Sequence, residues 1–284
     1  MPIDDYAPWS LVRDGILALV DTIDKGMEEK PPPPPPDGDF EVFEIIDHRN
    51  MPDLAALGMK PLKIWYEGAL FDNRTTMDVN LSKVAAAAQQ APRDSVVDIE
   101  RWADKHTWRV TPENVDRYIE AMQVYQANLG NGYLTGLYSI LPVRNYWDAV
   151  SNPNSQDYKT WQKWNNEVAP IVAHVDRLMP SLYTFYDKND LNKFPRQGWV
   201  TYARANIEEA RRIGDGKKVY AVLWPRYHPG NAGEIPGDYW QLQLDTCRQY
   251  ADGVVIWDDR TSDKTDWNDL GDWWDVTEAW LKTL

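Results

Sequence analysis

The chain has 284 residues, 43% of them hydrophobic, which is enough for one large domain or two small ones. With 44 acidic and 30 basic residues its formal charge is −14. This argues against a general nucleic-acid binder, because such proteins need clustered cations to displace counterions from phosphates. The one cysteine, Cys247, cannot form an intramolecular disulfide, so the core must hold the fold. No stretch approaches the ~18 consecutive apolar residues of a membrane span.

Residues 1–38 are predicted to form an appendage. From Trp9 to Ile23, apolar residues recur at spacings of three and four, which predicts an amphipathic helix within residues 1–30. Residues 31–36 are all proline and predict a stiff polyproline spacer. We expect residues 1–30 to dock to a partner protein or to self-associate; folding back onto the main domain is the alternative. The acidic start is not typical of a signal peptide, which leaves the location open, with an extracellular or particle-associated place among the choices.

Residues 39–284 alternate between short β-branched or aromatic runs and longer helical patterns. Strands are predicted at 41–46, 62–66, 95–99, 134–140, 178–185, 218–224 and 253–257. Helices are predicted at 78–90, 112–129, 158–176, 201–213, 239–250 and 273–284, with a short crossover at 51–57. This alternation predicts an α/β fold with a parallel sheet. Seven βα units over this length favour a single closed (β/α) TIM-like barrel.

A carboxylate pair follows the third predicted strand. In a barrel, working residues come from the carboxyl ends of the strands. Asp98 and Glu100 lie two residues apart on a strand, so they face the same way about 6.5–7 Å apart. Two close carboxylates cannot both ionise cheaply, so the pKa of one rises and that group becomes a proton donor. This is typical of glycoside hydrolases, and Asp98 and Glu100 are the predicted catalytic residues.

Further candidate residues come from the other strand ends. The chain has 15 Trp and 15 Tyr but only 5 Phe, and Trp and Tyr combine a flat apolar face with a polar edge that suits sugars. Packing in the core is the alternative for about half of the Trp. Predicted substrate contacts are Asp47, Glu67, Trp102, Tyr138, Tyr183, Tyr227, Trp257 and Asp258. His228 is a further candidate, and because the four histidines lack ligand spacing we expect neither a zinc site nor a cofactor.

These residues resemble the hyaluronidases, glycoside hydrolase family 56. The third-strand signature of that family, Asp-x-Glu-x-Trp, stands here as Asp98-Ile99-Glu100-Arg101-Trp102. The other similar segments, in the order of the family, are Trp65-Tyr66-Glu67-Gly68, Gly136-Leu137-Tyr138, Met179-Pro180-Ser181-Leu182-Tyr183 and Gly253-Val254-Val255-Ile256-Trp257.

The resemblance implies a seven-stranded barrel and a retaining, substrate-assisted mechanism. Glu100 would be the general acid/base, and the nucleophile would be the substrate's own N-acetyl oxygen, held by Asp98 and Tyr183. Tyr138 and Trp257 would line the pocket for the N-acetylated sugar. This chain departs from the family where Asp47-His48-Arg49 ends the first strand and Asp258 follows Trp257. The negative charge favours a neutral amino-sugar polymer over the polyanion hyaluronan.

Two alternatives remain at the sequence level. The run Val-Asp-Ile-Glu also looks like that of the lysozyme-type muramidases on a related barrel, in which a first strand ends in Asp, as at Asp47. The second alternative is a carbohydrate-binding component of a larger assembly that has lost catalysis, because a fold does not dictate a function.

Overall fold

The computed structural model describes residues 39–185, 196–228, 233–258 and 266–284. The predicted amphipathic helix and polyproline spacer lie outside the described residues, so the division at residue 38 stays a prediction. The strands are β1 (Glu41–Ile46), β2 (Lys60–Pro61), β3 (Lys63–Tyr66), β4 (Ser95–Asp98), β5 (Thr135–Tyr138), β6 (Arg177–Met179), β7 (Tyr220–Leu223) and β8 (Gly253–Asp258).

The α-helices lie between these strands, except the last one, which follows β8. They are α1 (Glu67–Leu70), α2 (Leu81–Gln90), α3 (Pro112–Asn128), α4 (Gln156–Val168), α5 (Arg196–Ile213), α6 (Gly237–Tyr250) and α7 (Asp272–Leu281). Short 3₁₀ helices cover Leu54–Leu57, Asp148–Val150, Ala169–His174 and Trp267–Asp269. In the part of the chain that the structure describes, no helix has both the length and the apolar character to cross a membrane.

Every pairing between the named strands of the described residues is parallel, which confirms the predicted α/β fold with parallel strands. The strands form two four-stranded sheets, in the orders β2-β1-β8-β7 and β3-β4-β5-β6. The longest pairing joins β1 to β8, from Glu41 opposite Gly253 to Ile46 opposite Asp258. Because the pairing gives two sheets rather than one closed ring, the closed barrel and its count of seven units stay predictions.

The two sheets adjoin at both edges. At one edge β2 leads directly into β3. The backbone N–H of Leu62 donates to the Glu44 carbonyl in β1, and that of Lys63 donates to the Asp94 carbonyl just before β4, each at 2.9 Å. At the other edge an isolated parallel bridge joins Leu178 to Val219. An inner apolar cluster takes side chains from both sheets, including Phe43, Ile45, Val96, Met179, Val222 and Val255.

Local sequence signals explain where helices and strands end. Helix α3 begins at Pro112, and the Thr111 hydroxyl accepts the N–H of Asn114, as its capping pattern predicts. The helix predicted over 158–176 is α-helical only to Val168 and continues as the 3₁₀ helix Ala169–His174. The change comes where Pro170 has no N–H to donate to an α-helical hydrogen bond. Strand β6 is shorter than predicted because Pro180 has no N–H to donate to a sheet.

Much of the tryptophan content fills the outer core between strands and helices. Five Trp side chains are fully buried: Trp102, Trp161, Trp199, Trp240 and Trp273. The indole N–H groups of Trp161 and Trp199 donate to the carbonyls of Val143 and Leu182 at 3.0 Å, whereas that of Trp273 has no partner among the described residues. Packing therefore accounts for these residues, whereas Trp257 takes a different place.

Candidate active site

A pocket of about 220 Å³ opens where the carboxyl ends of strands from both sheets meet. Six predicted site residues line it: Asp98, Glu100, Tyr138, Tyr183, Trp257 and His228. The remaining polar or aromatic lining comes from Tyr66 and Arg144. Its apolar floor consists of Ile45, Ile64, Val96, Met179, Val222 and Val255. This is the end of a parallel α/β fold at which ligands bind.

The two carboxyl groups of the third predicted strand share this pocket at different depths. Asp98 ends β4, and its Oδ1 atom is buried with no hydrogen-bond partner among the described residues. The Glu100 side chain is 41% exposed. Burial raises the pKa of Asp98 to about 8, helped by the charges of Glu100 and Glu67 and opposed by Arg144. Burial also raises the pKa of Glu100, against the effect of Arg144. The pair therefore holds a proton near neutral pH, as a general acid requires.

Glu67 positions the loop that carries Glu100. It is the first residue of α1, and its Oε1 accepts the backbone N–H groups of Glu100 at 3.0 Å and Arg101 at 2.8 Å. Its Oε2 accepts from the Arg101 Nε at 2.9 Å. The Arg101 guanidinium in turn lies 3.8 Å over the Phe71 ring and donates to the Thr76 carbonyl at 2.7 Å. Glu67 therefore acts on the pocket through the backbone of Glu100.

Arg144 brings a cation to the same carboxyl group. Its side chain is 5% exposed, and a terminal nitrogen lies 3.3 Å from Glu100 Oε1. The guanidinium carbon lies 3.3 Å from the centre of the Trp108 ring. Helix α4 holds the loop after β5 in place, because the Asn165 side chain accepts the N–H of Val143 at 2.8 Å. The cation is thus fixed beside the candidate acid.

Tyr138, Tyr183 and Trp257 form an aromatic wall of the pocket. The Tyr183 and Trp257 rings stack at 5.8 Å and 25°, and Tyr138 lies 5.9 Å from Tyr183. The Trp257 indole N–H donates to the Tyr66 hydroxyl at 2.8 Å, and the Tyr138 hydroxyl bonds Ser181 at 2.9 Å. Burial raises the pKa of both Tyr138 and Tyr183, so each keeps its proton. The wall offers a flat face and hydroxyl groups, the pairing that a sugar ring requires.

His228 lines the pocket as a neutral group. Burial and the charge of Arg144 lower its pKa to about 4, so the ring is uncharged near neutral pH. The ring packs 4.2 Å from Phe185. Within the described ranges no three His, Cys, Asp or Glu side chains come together in a way that could hold a metal ion.

Asp258 and His48 contact each other in the protein interior, outside the pocket lining. Both lie in segments where the sequence differs from the hyaluronidase motifs. Asp258 is fully buried; its Oδ2 lies 2.9 Å from His48 Nε2, and its Oδ1 accepts from Trp224 Nε1 at 3.0 Å and Arg226 Nε at 3.2 Å. Burial by itself raises the pKa of Asp258, but the hydrogen bond with His48 and the charge of Arg226 hold it below the usual value. Trp224 packs 5.1 Å from Trp257, so the network supports the aromatic wall.

Three other predicted substrate contacts do not line the pocket. The prediction for Trp102 is corrected: the residue is 1% exposed, and its indole N–H donates to the Met77 carbonyl at 2.7 Å in the core. Tyr227 is likewise fully buried. Asp47 follows β1, where its backbone N–H donates to the Asp258 carbonyl. A strand end identifies the right edge of the sheet, but the local backbone decides whether a side chain turns toward the cavity.

Arg144 is the charged pocket residue that the sequence did not place in the site. The signal for it is a single arginine after the apolar run Ile140-Leu141-Pro142-Val143, directly behind a predicted strand. A charged side chain in such a run has to be paired if it is buried. Its partner, Glu100, is 44 positions away in sequence, so only the fold reveals the pair.

The fold has counterparts among solved structures, although no protein-family model and no curated protein sequence matches the chain. Bee venom hyaluronidase, in a monoclinic crystal structure, matches with a TM-score of 0.60 and 16% identity over 80% of this chain and 93% of that one. Its complex with a hyaluronic acid tetramer matches with a TM-score of 0.53 and 16% identity over 77% and 90% of the two chains. The fold therefore resembles that of bee venom hyaluronidase. The resemblance read from the strand-end motifs is confirmed at the level of the fold.

Proposed function

We propose that this chain is a glycoside hydrolase that cleaves an N-acetylhexosamine-containing glycan with retention, by substrate-assisted catalysis. The observation that carries the proposal is the Asp98–Glu100 pair, two carboxyl groups of raised pKa in one pocket with an aromatic wall. The likeness of the fold to bee venom hyaluronidase, crystallised with a hyaluronic acid tetramer, supports the same chemistry.

In this mechanism the two carboxyl groups have different roles. Glu100, the more exposed, donates its proton to the leaving glycosidic oxygen as the bond from that oxygen to the anomeric carbon breaks. The substrate's acetamido oxygen attacks the anomeric carbon and closes a five-membered ring, while Asp98 and the Tyr183 hydroxyl orient the acetamido group. Glu100 then takes a proton from a water molecule whose oxygen attacks the anomeric carbon. This attack opens the five-membered ring and restores the starting configuration at the anomeric carbon. The sugar ring packs on Trp257.

The proposal extends to the shape of the domain. In residues 39–284 the two sheets close into one seven-stranded barrel, in which the directly connected β2 and β3 count as one strand. The continuous passage through Leu62, the bridge between Leu178 and Val219, and the apolar cluster shared by the sheets support closure. Residues 1–30 dock to another protein or to a second copy of the chain.

The substrate we favour is a neutral amino-sugar polymer of the chitin or cell-wall type. Among the described pocket residues the cation Arg144 is paired with Glu100, and His228 is neutral. A polyanion would also approach a chain with a formal charge of −14 against long-range repulsion.

The test is digestion of hyaluronan, chondroitin, chitin oligomers and peptidoglycan by the wild type and by Glu100→Gln, with new reducing ends as the readout. We expect turnover of an amino-sugar polymer and a loss of about 100-fold or more in the variant. Glu113→Gln is the matched control, because Glu113 is an exposed glutamate on α3 paired with Arg117, and it should keep full activity. Undiminished turnover by Glu100→Gln would falsify the assignment.

The same assay separates the alternatives. Proton NMR of the first product should show the configuration of the substrate, as retention requires. New reducing ends on muramic acid from peptidoglycan alone would favour the muramidase alternative. Oligosaccharide binding with no turnover on any polymer would favour a carbohydrate-binding protein without catalysis.

A further inference from the structure

Arg144 joins two loops that are separate in sequence. Glu100 and Trp108 lie in the loop after β4, and Arg144 lies in the loop after β5. The guanidinium contacts both, with a nitrogen 3.3 Å from the Glu100 carboxyl and its carbon 3.3 Å from the centre of the Trp108 ring. The stack fixes the plane of the guanidinium, so one of its edges is held toward the carboxyl group.

The contrast with Arg101 shows how specialised this contact is. Arg101 spreads its donors over the Glu67 carboxylate and the carbonyls of Asn73 and Thr76. Arg144 is more deeply buried, and its Nε has no hydrogen-bond partner among the described residues. A buried arginine that served only to hold a loop would be expected to bond loop carbonyls in this way. The ion pair of Arg144 is instead made with the candidate acid.

Among the described residues, Arg144 is the cation whose charge opposes the protonation of Glu100. The titratable or charged side chains that act on Glu100 or contact its loop are Asp98, Glu67, Arg101, Tyr118, Tyr138 and Arg144. Burial and the Glu67 charge favour the protonated carboxyl, and Arg144 favours the ionised one. Arg101 is paired with Glu67 through its own side chain. Because the Arg144 side chain is only 5% exposed, its pair with Glu100 acts more strongly than a fully exposed surface pair.

We propose that Arg144, which lies outside the strand-end motifs quoted above, is a positioning residue for the acid/base: it fixes the direction of the Glu100 carboxyl and stabilises its charge after proton transfer. The inference rests on the proposed function. In the first step Glu100 loses its proton to the leaving oxygen, and the carboxylate that results is paired at once with Arg144. This pairing makes Glu100 a stronger acid, because the positive charge lowers the pKa of its carboxyl group. The pH range in which Glu100 is protonated therefore ends at a lower pH.

The experiment compares Arg144→Gln, Arg144→Lys and the wild type in the pH dependence of kcat/KM, with a carbon-13 titration of the Glu100 carboxyl as a readout independent of turnover. In Arg144→Gln the basic limb and the titration midpoint should both move up by about 1 pH unit, because the cation is lost. Arg144→Lys keeps the charge and should stay within a few tenths of a pH unit. The matched control, Arg109→Gln, removes an exposed arginine next to Trp108 that pairs with Glu167 and should shift neither readout.

A lower rate in Arg144→Gln with unmoved limb and midpoint would overturn the proposal and leave Arg144 a structural role. Should Arg144→Gln not fold, Trp108→Leu removes the stack but keeps the charge, and a smaller upward shift of the midpoint is then expected; no shift would contradict the proposal. Failure of the proposed function is distinguishable, because it shows as full activity in Glu100→Gln or as the absence of turnover on every polymer, and the carbon-13 titration can be read in either case. Suppose that the Glu100 titration midpoint shifts in Arg144→Gln and that Glu100→Gln keeps full activity. Arg144 would then act on the charge of Glu100, but Glu100 would not be the catalytic acid.

Discussion

At the residue scale, two aspartates at strand ends show how partners decide ionisation. Asp98 and Asp258 each end a strand, β4 and β8; Asp258 is fully buried, and Asp98 is half-buried at the pocket. The pKa of Asp98 is raised to about 8 because burial and neighbouring carboxylates disfavour its charge. The pKa of Asp258 is lowered because His48 and Arg226 outweigh its burial. The same residue type thus becomes a proton holder in one place and a fixed anion in the other.

We expect Asp98→Asn to stabilise the protein near neutral pH while impairing glycan cleavage. The folded-state pKa of about 8 lies above the ordinary value of 3.8, so the carboxyl costs stability increasingly as pH rises between these values. Asparagine removes this cost, on the order of 2–4 kcal/mol at pH 7. Thermal unfolding from pH 4 to 9 measures it. Equal melting temperatures of variant and wild type at pH 8 would contradict the raised pKa.

Asp258→Asn should have the opposite sign. A lowered pKa means that the carboxylate stabilises the fold above its unfolded pKa and loses this effect as pH falls through the folded value. Removal of the charge leaves Arg226 and His48 without their buried partner, at a cost of about 3 kcal/mol at pH 7. Urea unfolding at pH 7 and pH 3 measures the difference, which should shrink at pH 3. A loss that is the same at both pH values would show that charge is not the cause.

At the element scale, the pairing of β1 with β8 depends on a residue without a side chain. Gly253 begins β8 opposite Glu41 in β1. A Cβ atom at this position would overlap the Glu41 carbonyl oxygen and the Tyr220 ring. The close approach lets β8 lie between β1 and β7, and so brings Trp257 and Asp258 to the pocket end of the sheet.

Gly253→Ala should therefore destabilise the fold by about 1–3 kcal/mol, because a backbone atom cannot move aside as a flexible side chain can. Chemical denaturation measures the free energy of unfolding. Gly68→Ala is the control, since a Cβ there meets nothing within 4 Å in helix α1 and should be neutral or stabilising by up to about 1 kcal/mol. A stable Gly253→Ala variant would mean that the two strands are not held at this distance.

At the scale of the whole molecule, the formal charge of −14 acts on any charged polymer before it reaches the pocket. A rise in salt from about 20 mM to about 200 mM shortens the range of this repulsion. We expect kcat/KM for hyaluronan or chondroitin, if either is cleaved at all, to rise several-fold, while that for chitin oligomers stays constant. Initial rates at low substrate concentration measure both. A fall for the polyanion would point to a basic path to the pocket.

The sequence by itself determined features that depend on local chemistry. Alternating short apolar strands and helical patterns sufficed for the parallel α/β fold, because each element has to bury one side. The spacing of Asp98 and Glu100, together with the rule that strand ends form the site, sufficed to place both in the pocket. The cap at Thr111 with Pro112 sufficed for the start of α3.

Only the tertiary structure decided features that depend on residues distant in the chain. Trp102 and Trp257 look alike in sequence, yet Trp102 packs in the core and Trp257 lines the pocket, because Trp102 lies in the turn after β4 whereas Trp257 lies within β8. The partners of buried charges are equally hidden. Glu67 bonds the loop of Glu100, Arg144 pairs with Glu100, and none of these contacts leaves a periodic pattern. The periodicity of apolar residues indicates which side of a helix or strand is buried. Charge pairs depend on which helices, strands and loops contact each other, and these contacts exist only in the folded chain.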